Sequence, residues 1–152
     1  MRAIAWILAL MLGLGPAPGG RFAAVAESAT PHRLAVHIDQ NDPAVMTMTL
    51  NNVENVIEHY RELGEEVRVE IVAYGPGLHM LRDDTSPVKD RIERMAREIR
   101  PAVVFSACAN TMAGMEKREG RPITLVPQAS VVPSGVVRLM QLQEQGWSYV
   151  RP

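Results

Sequence analysis

The sequence AVVFSACANT, residues 102–111, combines the two local signals that best predict the fold class of this chain. Its apolar first half is typical of a strand that is buried on both faces, and it predicts a strand over Ala102–Ser106. Asn110 and Thr111 are residue types that begin helices, because their side chains accept hydrogen bonds from the free N–H groups of the first turn. We therefore predict that the strand passes through a short turn into a helix that Asn110 caps and that reaches about Arg118.

The same succession of strand and helix recurs along the chain. Further strands are predicted at Leu34–Ile38, Val67–Tyr74, Ala129–Val132 and Trp147–Val150. Helices are predicted from Pro43 to Gly64, from the N-cap Ser86 to Pro101, and from Pro133-Ser134-Gly135 to about Gln145. Alternation of this kind predicts a three-layer α/β/α fold with a mostly parallel five-stranded sheet.

The first 26 residues predict a signal peptide. Arg2 is followed by the apolar run Ala3–Leu14, which is too short to span a bilayer comfortably, and Ala24-Val25-Ala26 offers a small-x-small cleavage site. Residues 27–152 then form a single domain in a periplasmic or secreted protein. The alternative is that the segment is kept as an N-terminal anchor.

Charge and hydropathy exclude two classes of partner. The chain has 16 basic and 17 acidic residues, a net charge of −1, and no Lys/Arg cluster stands free of acidic neighbours. Nucleic acid is therefore not an expected partner. After signal cleavage no apolar segment is long enough to span a membrane.

Ligands in parallel α/β sheets bind beyond the carboxyl ends of the strands. Four predicted turns fall at that edge: Asp39–Asp42, Gly75–His79, Cys108–Thr111 and Pro133–Gly135. We take six residues of two of these turns as candidates for a functional site: Cys108 as the reactive residue, with Asn110, Thr111, Gly75, Gly77 and His79 as ligand-binding or supporting residues.

Cys108 is the only cysteine in the chain, so it cannot form an intrachain disulfide. At a strand-to-helix turn, free N–H groups and the helix dipole favour the thiolate, which is the nucleophilic form of cysteine. The simpler interpretation is a small buried hydrophobic residue. Around the thiol, Asn110 and Thr111 begin a helix and would also hold an anion in their N–H groups.

The other candidates also have two interpretations. Gly75 and Gly77 flank Pro76 in what is first of all a tight turn. His79 is either a general acid or base for the thiol, or a solvated turn residue. No phosphate-binding loop and no G-x-G-x-x-G motif occurs, so no cofactor is expected.

A third interpretation involves copper. Cys108, Met112 and Met115 are spaced so that one helix face would present a thiolate and two thioethers, ligands that select Cu(I). Methionines at this spacing are more often core residues, and we expect no metal site.

Several segments together resemble the DsrE/DsrF-like superfamily. These are Leu50–Asn55, Val69–Gly77, Val104–Met112 and Val132–Val137, and the likeness extends from about His32 to Arg151. The resemblance implies a three-layer α/β/α fold and a homo-oligomer or hetero-oligomer. It also implies a role in sulfur relay, in which a cysteine carries sulfur as a persulfide.

Carried onto this chain, the resemblance makes Cys108 the residue that accepts a sulfane sulfur, with Asn110 and Thr111 at the matching turn. The protein would then be a carrier, at most sulfurtransferase-like, that passes sulfur to a thiol-bearing protein partner. The alternative from another class is a non-catalytic oligomeric protein that binds a small ligand at the strand edge and keeps Cys108 buried.

Overall fold

Five strands form one sheet in which every neighbouring pair runs parallel, in the order β4-β3-β2-β1-β5. The computed structural model describes residues 31–99 and 103–152. The strands are β1 (His32–Ile38), β2 (Val67–Ala73), β3 (Val103–Cys108), β4 (Ala129–Val132) and β5 (Ser148–Val150). The predicted signal peptide, residues 1–26, and its alternative as an anchor lie outside the described residues.

Helices cover both faces of this sheet. They are α1 (Pro43–Glu62), a 3-10 helix (Gly75–Leu81), α2 (Lys89–Glu98), α3 (Ala109–Glu119) and α4 (Gly135–Glu144). One face carries the larger core, in which Phe105 and Ile71 pack with residues of the first three α-helices. On the other face, Leu139 and Leu142 of α4 pack against Ala35 and Val72. The predicted three-layer fold is therefore confirmed.

Two predicted helix caps are wrong by two residues each. The second helix begins at Lys89 and has Val88, not Ser86, in the cap position. The Ser86 hydroxyl instead donates to the carbonyl of Met80 at 2.5 Å and accepts from the Val88 N–H at 3.3 Å. Its capping capacity is thus used to close the turn that leaves the 3-10 helix.

The third helix begins at Ala109, so that Cys108 occupies the cap position and Asn110 lies inside the first turn. Strand β3 is longer than predicted, since β4 pairs with it to the end: Ala107 faces Val131 and Cys108 faces Val132. Continued pairing with β4 therefore overrides the local preference of asparagine for a cap.

Within residues 31–99 and 103–152, no helix is long and apolar enough to cross a bilayer.

A buried arginine joins the end of the 3-10 helix to the end of α3. Arg82 is 1% exposed and donates to Asp84 at 2.8 and 2.9 Å and to Glu119 at 2.5 and 2.9 Å. Arg121, which is more exposed, also lies 2.5 Å from Asp84 and 2.9 Å from Glu119. Hydrogen bonds from Arg82 and then Arg121 hold the pKa of Asp84 far below its usual range, although burial opposes them.

This cluster predicts how stability depends on pH. The pKa of Asp84 is lower in the folded than in the unfolded protein, so its contribution to stability is complete above the unfolded pKa of about 4 and is lost as the pH falls below it. Arg121→Gln removes one of the two guanidinium partners. We expect acid unfolding of this variant, followed by circular dichroism, to have its midpoint at higher pH than the wild type.

The control is Arg97→Gln, which removes another exposed arginine, from a surface pair with Glu93. Both variants should change the free energy of unfolding at neutral pH by less than about 1 kcal/mol, as exposed ion pairs do. Equal acid midpoints for the two variants would contradict the prediction.

Candidate functional site

A groove of about 460 Å³ lies beyond the carboxyl ends of the central strands. Gly75 and His79 line it from the 3-10 helix, and Asn110 and Thr111 line it from the start of α3. Asn41, from the loop after β1, and Arg118 on α3 complete its polar lining. The structure thus brings four of the six candidate residues to one groove.

Thr111 joins the two turns that line the groove. Its hydroxyl oxygen accepts a hydrogen bond from the Gly75 N–H at 2.9 Å. Gly75 adopts a positive φ of 52°, which favours glycine, and this conformation directs its N–H toward Thr111. The turn after β2 and the first turn of α3 are therefore held together.

Cys108 is buried beside this lining and is 4% exposed. Phe105 and Ala107 belong to the larger core. Because side chains alternate along a strand, Cys108 points to the opposite face of the sheet, where α4 lies. The sequence did not indicate whether the thiol is buried, and the structure shows that it is.

The surroundings of the Cys108 sulfur favour the thiolate despite this burial. Burial raises the pKa of the thiol and is the largest single influence. The Thr111 hydroxyl and the N–H groups of Gly135, Thr111 and Asn110 together oppose it, and the resulting pKa lies below the ordinary value. Hydrogen-bond donors near a sulfur stabilise a negative charge on it.

Gly135 affects the pKa of Cys108 because α4 begins close to α3. Ser134 caps α4 through a hydrogen bond from the Val137 N–H at 3.5 Å, and the Asn110 N–H donates to the carbonyl of Pro133 at 3.4 Å. Donors to Cys108 therefore come from the turns that follow two neighbouring strands, β3 and β4.

Gly77 supports the site from outside the groove lining. It is buried, and a Cβ placed on it would lie 2.4 Å from the carbonyl oxygen of Ile38 and 2.7 Å from the Asp39 nitrogen. The 3-10 helix can thus approach the end of β1 only with glycine at this position.

His79 lines the groove and is held by a hydrogen bond of 2.8 Å between its Nδ1 and the Thr85 hydroxyl. Burial, followed by the nearby Arg82 guanidinium, lowers the pKa of the imidazole. His79 is therefore neutral at neutral pH, which suits a general base more than a fixed positive charge.

Met112 and Met115 do not join Cys108 in a sulfur cluster. Both pack with the larger core, and the Met115 sulfur accepts a hydrogen bond from Arg82 at 3.6 Å. In the part of the chain that the structure describes, no group of three or more His, Cys, Asp or Glu residues is placed to hold a metal ion.

The structure adds a cluster of aromatic residues next to Cys108 that the sequence did not reveal. His37 is buried at the end of β1, where it stacks on Tyr74 and shares a hydrogen bond with the Tyr149 hydroxyl. A histidine within an otherwise apolar strand was the one feature of the sequence that could have indicated this cluster. The pairing of β1 with the last strand, which brings Tyr149 to it, has no local signature in the sequence.

The chain is similar to a solved structure, the protein of unknown function MTH1491 from Methanobacterium thermoautotrophicum. The two are 32% identical, the TM-score is 0.67, and the match covers 80% of this chain and 99% of the other. This chain belongs to the family of MTH1491. Neither a protein-family model nor a curated protein sequence matches it.

Within this MTH1491-family fold, the close approach at Gly77 gives a stability prediction. Gly77→Ala forces a backbone shift, and we expect it to lower the free energy of unfolding by about 1–3 kcal/mol. Gly114→Ala is the control, because its Cβ would meet only the end of the Arg118 side chain, at 3.5 Å. This second substitution should be neutral or stabilise α3 by about 0.5–1 kcal/mol, as alanine does in helices.

Urea unfolding followed by circular dichroism measures both changes. Equal stabilities of Gly77→Ala and the wild type would show that the 3-10 helix can move away from β1 without cost.

Proposed function

We propose that this MTH1491-family protein is a sulfur carrier of the DsrE/DsrF-like type, in which Cys108 accepts and releases a sulfane sulfur. The observation that supports this most is the set of donors around the Cys108 sulfur, which lowers the pKa of the thiol although it is buried. A purely structural cysteine in a core has no need of such donors, and its pKa is raised by burial.

The chemistry is an exchange at sulfur. The Cys108 thiolate attacks the outer sulfur of a donor such as thiosulfate; the sulfur–sulfur bond of the donor breaks and its electron pair leaves with sulfite. Cys108 then carries a persulfide with one negative charge. A thiolate on the acceptor attacks the outer sulfur in turn, and the Cys108 thiolate is the leaving group. No external oxidant or reductant is consumed.

In this proposal a small donor binds in the groove next to the thiol, although Cys108 itself does not line the groove. Thr111 lies both in the groove lining and next to the Cys108 sulfur, so the groove and the thiol share a wall. An anionic donor would meet no negative charge from three polar residues of the groove, which are Arg118, His79 and Asn110. The small exposed fraction of Cys108 favours inorganic donors over bulky ones.

The setting of this function follows from the predicted signal peptide. We place the carrier in the periplasm or outside the cell, with a thiol-bearing protein as its acceptor. Transfer of sulfur through such a partner keeps the reactive persulfide bound throughout.

Sulfur loading tests the proposal directly. Residues 27–152 are incubated with thiosulfate or a polysulfide, and intact masses are measured. Wild type should gain the mass of one sulfur atom, and dithiothreitol should remove it. Cys108→Ser should gain none, and Met112→Leu should load like the wild type.

Failure of wild type to gain mass with either donor would contradict carriage. The second candidate function, binding of a small ligand without chemistry, would then be favoured. What supports it is that the groove is lined by Gly75, His79, Asn110 and Thr111 while Cys108 itself stays buried.

We further propose that the carrier is a homo-oligomer. Val136, Val137 and Met140 lie on one side of α4 and are 51%, 49% and 54% exposed. Residues three and four apart on a helix form one surface, and an exposed apolar surface of this kind is typical of protein contacts. Since α4 begins at Gly135, a second copy bound there would lie near Cys108.

Light scattering tests this surface. Met140→Glu should lower the average mass of the particle toward that of a monomer, because it places a charge in an apolar contact. Asn51→Glu adds the same charge at an exposed position of α1, on the opposite face of the sheet from α4, and should leave the mass unchanged. A monomeric wild type, or equal masses for both variants, would contradict the proposal.

A further inference from the structure

A row of three ring-bearing residues leads from the last strand to the start of α4. The His37 Nδ1 and the Tyr149 hydroxyl are 2.7 Å apart. On its other side, His37 stacks on Tyr74, with ring centroids 4.6 Å apart and planes inclined by 20°. The three residues come from β5, β1 and the end of β2.

Tyr74 in turn packs directly on Gly135. A Cβ placed on Gly135 would lie 2.8 Å from Cδ1 and 2.9 Å from Cβ of Tyr74. The tyrosine ring therefore touches the backbone of Gly135, whose N–H group is among the influences that lower the pKa of the Cys108 thiol. A side chain at position 135 would push this backbone away from the ring.

Of the two ring nitrogens of His37, only Nδ1 makes a hydrogen bond among the described residues. The residue is 6% exposed, and its Nε2 has no hydrogen-bond partner among the described residues. The nearest carboxylate, Asp39, lies 3.8 Å from Nε2, which is close enough for electrostatic attraction but too far for a hydrogen bond. Asp39 itself is bound by Arg151 at 2.8 Å.

We propose that Tyr74 is a positioning residue for Cys108: its ring, held by the stack with His37, fixes the start of α4 so that the Gly135 N–H stays directed at the sulfur. This inference rests on the proposed function, because it assigns a purpose to the stabilised thiolate. The ring acts by its shape and contacts, and its hydroxyl takes no part.

Two features of the charges around the stack agree with this role. Burial raises the pKa of Tyr74, as do the nearby Asp39, Tyr149 and Cys108, so the phenol stays neutral. Burial also lowers the pKa of His37, more than Asp39 raises it, and Arg151 lowers it further. The stack of His37 and Tyr74 is thus uncharged at neutral pH.

The titration of Cys108 tests the proposal without any sulfur donor. As Cys108 is the single cysteine, its Cβ chemical shift in cysteine-labelled protein reports the fraction of thiolate at each pH. Tyr74→Leu should reduce the thiolate fraction at a given pH by about tenfold, the size expected when one hydrogen bond to a charged group is weakened. Tyr74→Phe keeps the ring and should titrate like the wild type.

His37→Leu removes the stacking partner and should move the titration in the same direction by a smaller amount. It also covers the case in which Tyr74→Leu does not fold. His59→Leu, the same substitution at an exposed histidine of α1, is the matched control and should have no such effect.

The outcomes separate this inference from the proposed function. An unchanged titration in Tyr74→Leu or, if that variant is unfolded, in His37→Leu overturns the positioning role, even when wild type takes up sulfur. A loss of thiolate in Tyr74→Phe equal to that in Tyr74→Leu also overturns it, because the hydroxyl would then be responsible. The expected shifts in a protein that takes up no sulfur support the positioning role and contradict sulfur carriage.

Discussion

A buried carboxylate in the central strand is the constraint on which this arrangement depends. Glu70 of β2 is 2% exposed, and it accepts hydrogen bonds from the Ser106 hydroxyl at 2.7 Å and from Arg138 at 2.6 and 2.7 Å. A charge without a partner in this position would destabilise the fold by about 3–5 kcal/mol. Arg138 must therefore lie over the sheet, and α4 is fixed there with it.

The ion pair between Arg138 and Glu70 also fixes the residues one turn earlier in α4. Gly135 precedes Arg138 by three residues, so the pairing with Glu70 also holds the start of α4 near the end of β3. The donors that lower the pKa of Cys108 come from this start and from the first turn of α3. The thiol environment is thus made of backbone groups whose positions the ion pair, the sheet and the Tyr74 ring determine together.

The prediction from sequence was best where the signal was local. Apolar runs and turn residues predicted all five strands, and proline and glycine predicted the ends of α1 and the sharp turn after β2. Placing Cys108 and Thr111 at the carboxyl edge required only alternation of strands and helices. The errors concern helix starts, which here depend on partners outside the helix. The Ser86 hydroxyl donates to the Met80 carbonyl, and pairing of β3 with β4 moves the start of α3 ahead of Asn110.

The roles of several candidate residues also depend on partners that are distant in the chain. Gly77 was a candidate for ligand binding. In the structure, glycine is needed at this position because any side chain would collide with the end of β1. Met112 and Met115 had the spacing of sulfur ligands, but helix α3 directs them into the larger core. His37 offered no clear hypothesis, because its importance depends on Tyr149, which is far away in the chain and adjacent only through the β1–β5 pairing.

Periodicity and turn chemistry are local properties, and they were enough to predict the class of fold and the sheet edge at which Cys108 lies. The burial of the thiol, the closeness of the start of α4 and the stacking of His37 on Tyr74 follow from the three-dimensional arrangement of the chain. These facts depend on the order of strands and on the anchoring of α4 by Glu70. Both arise from contacts between residues that are distant in the chain.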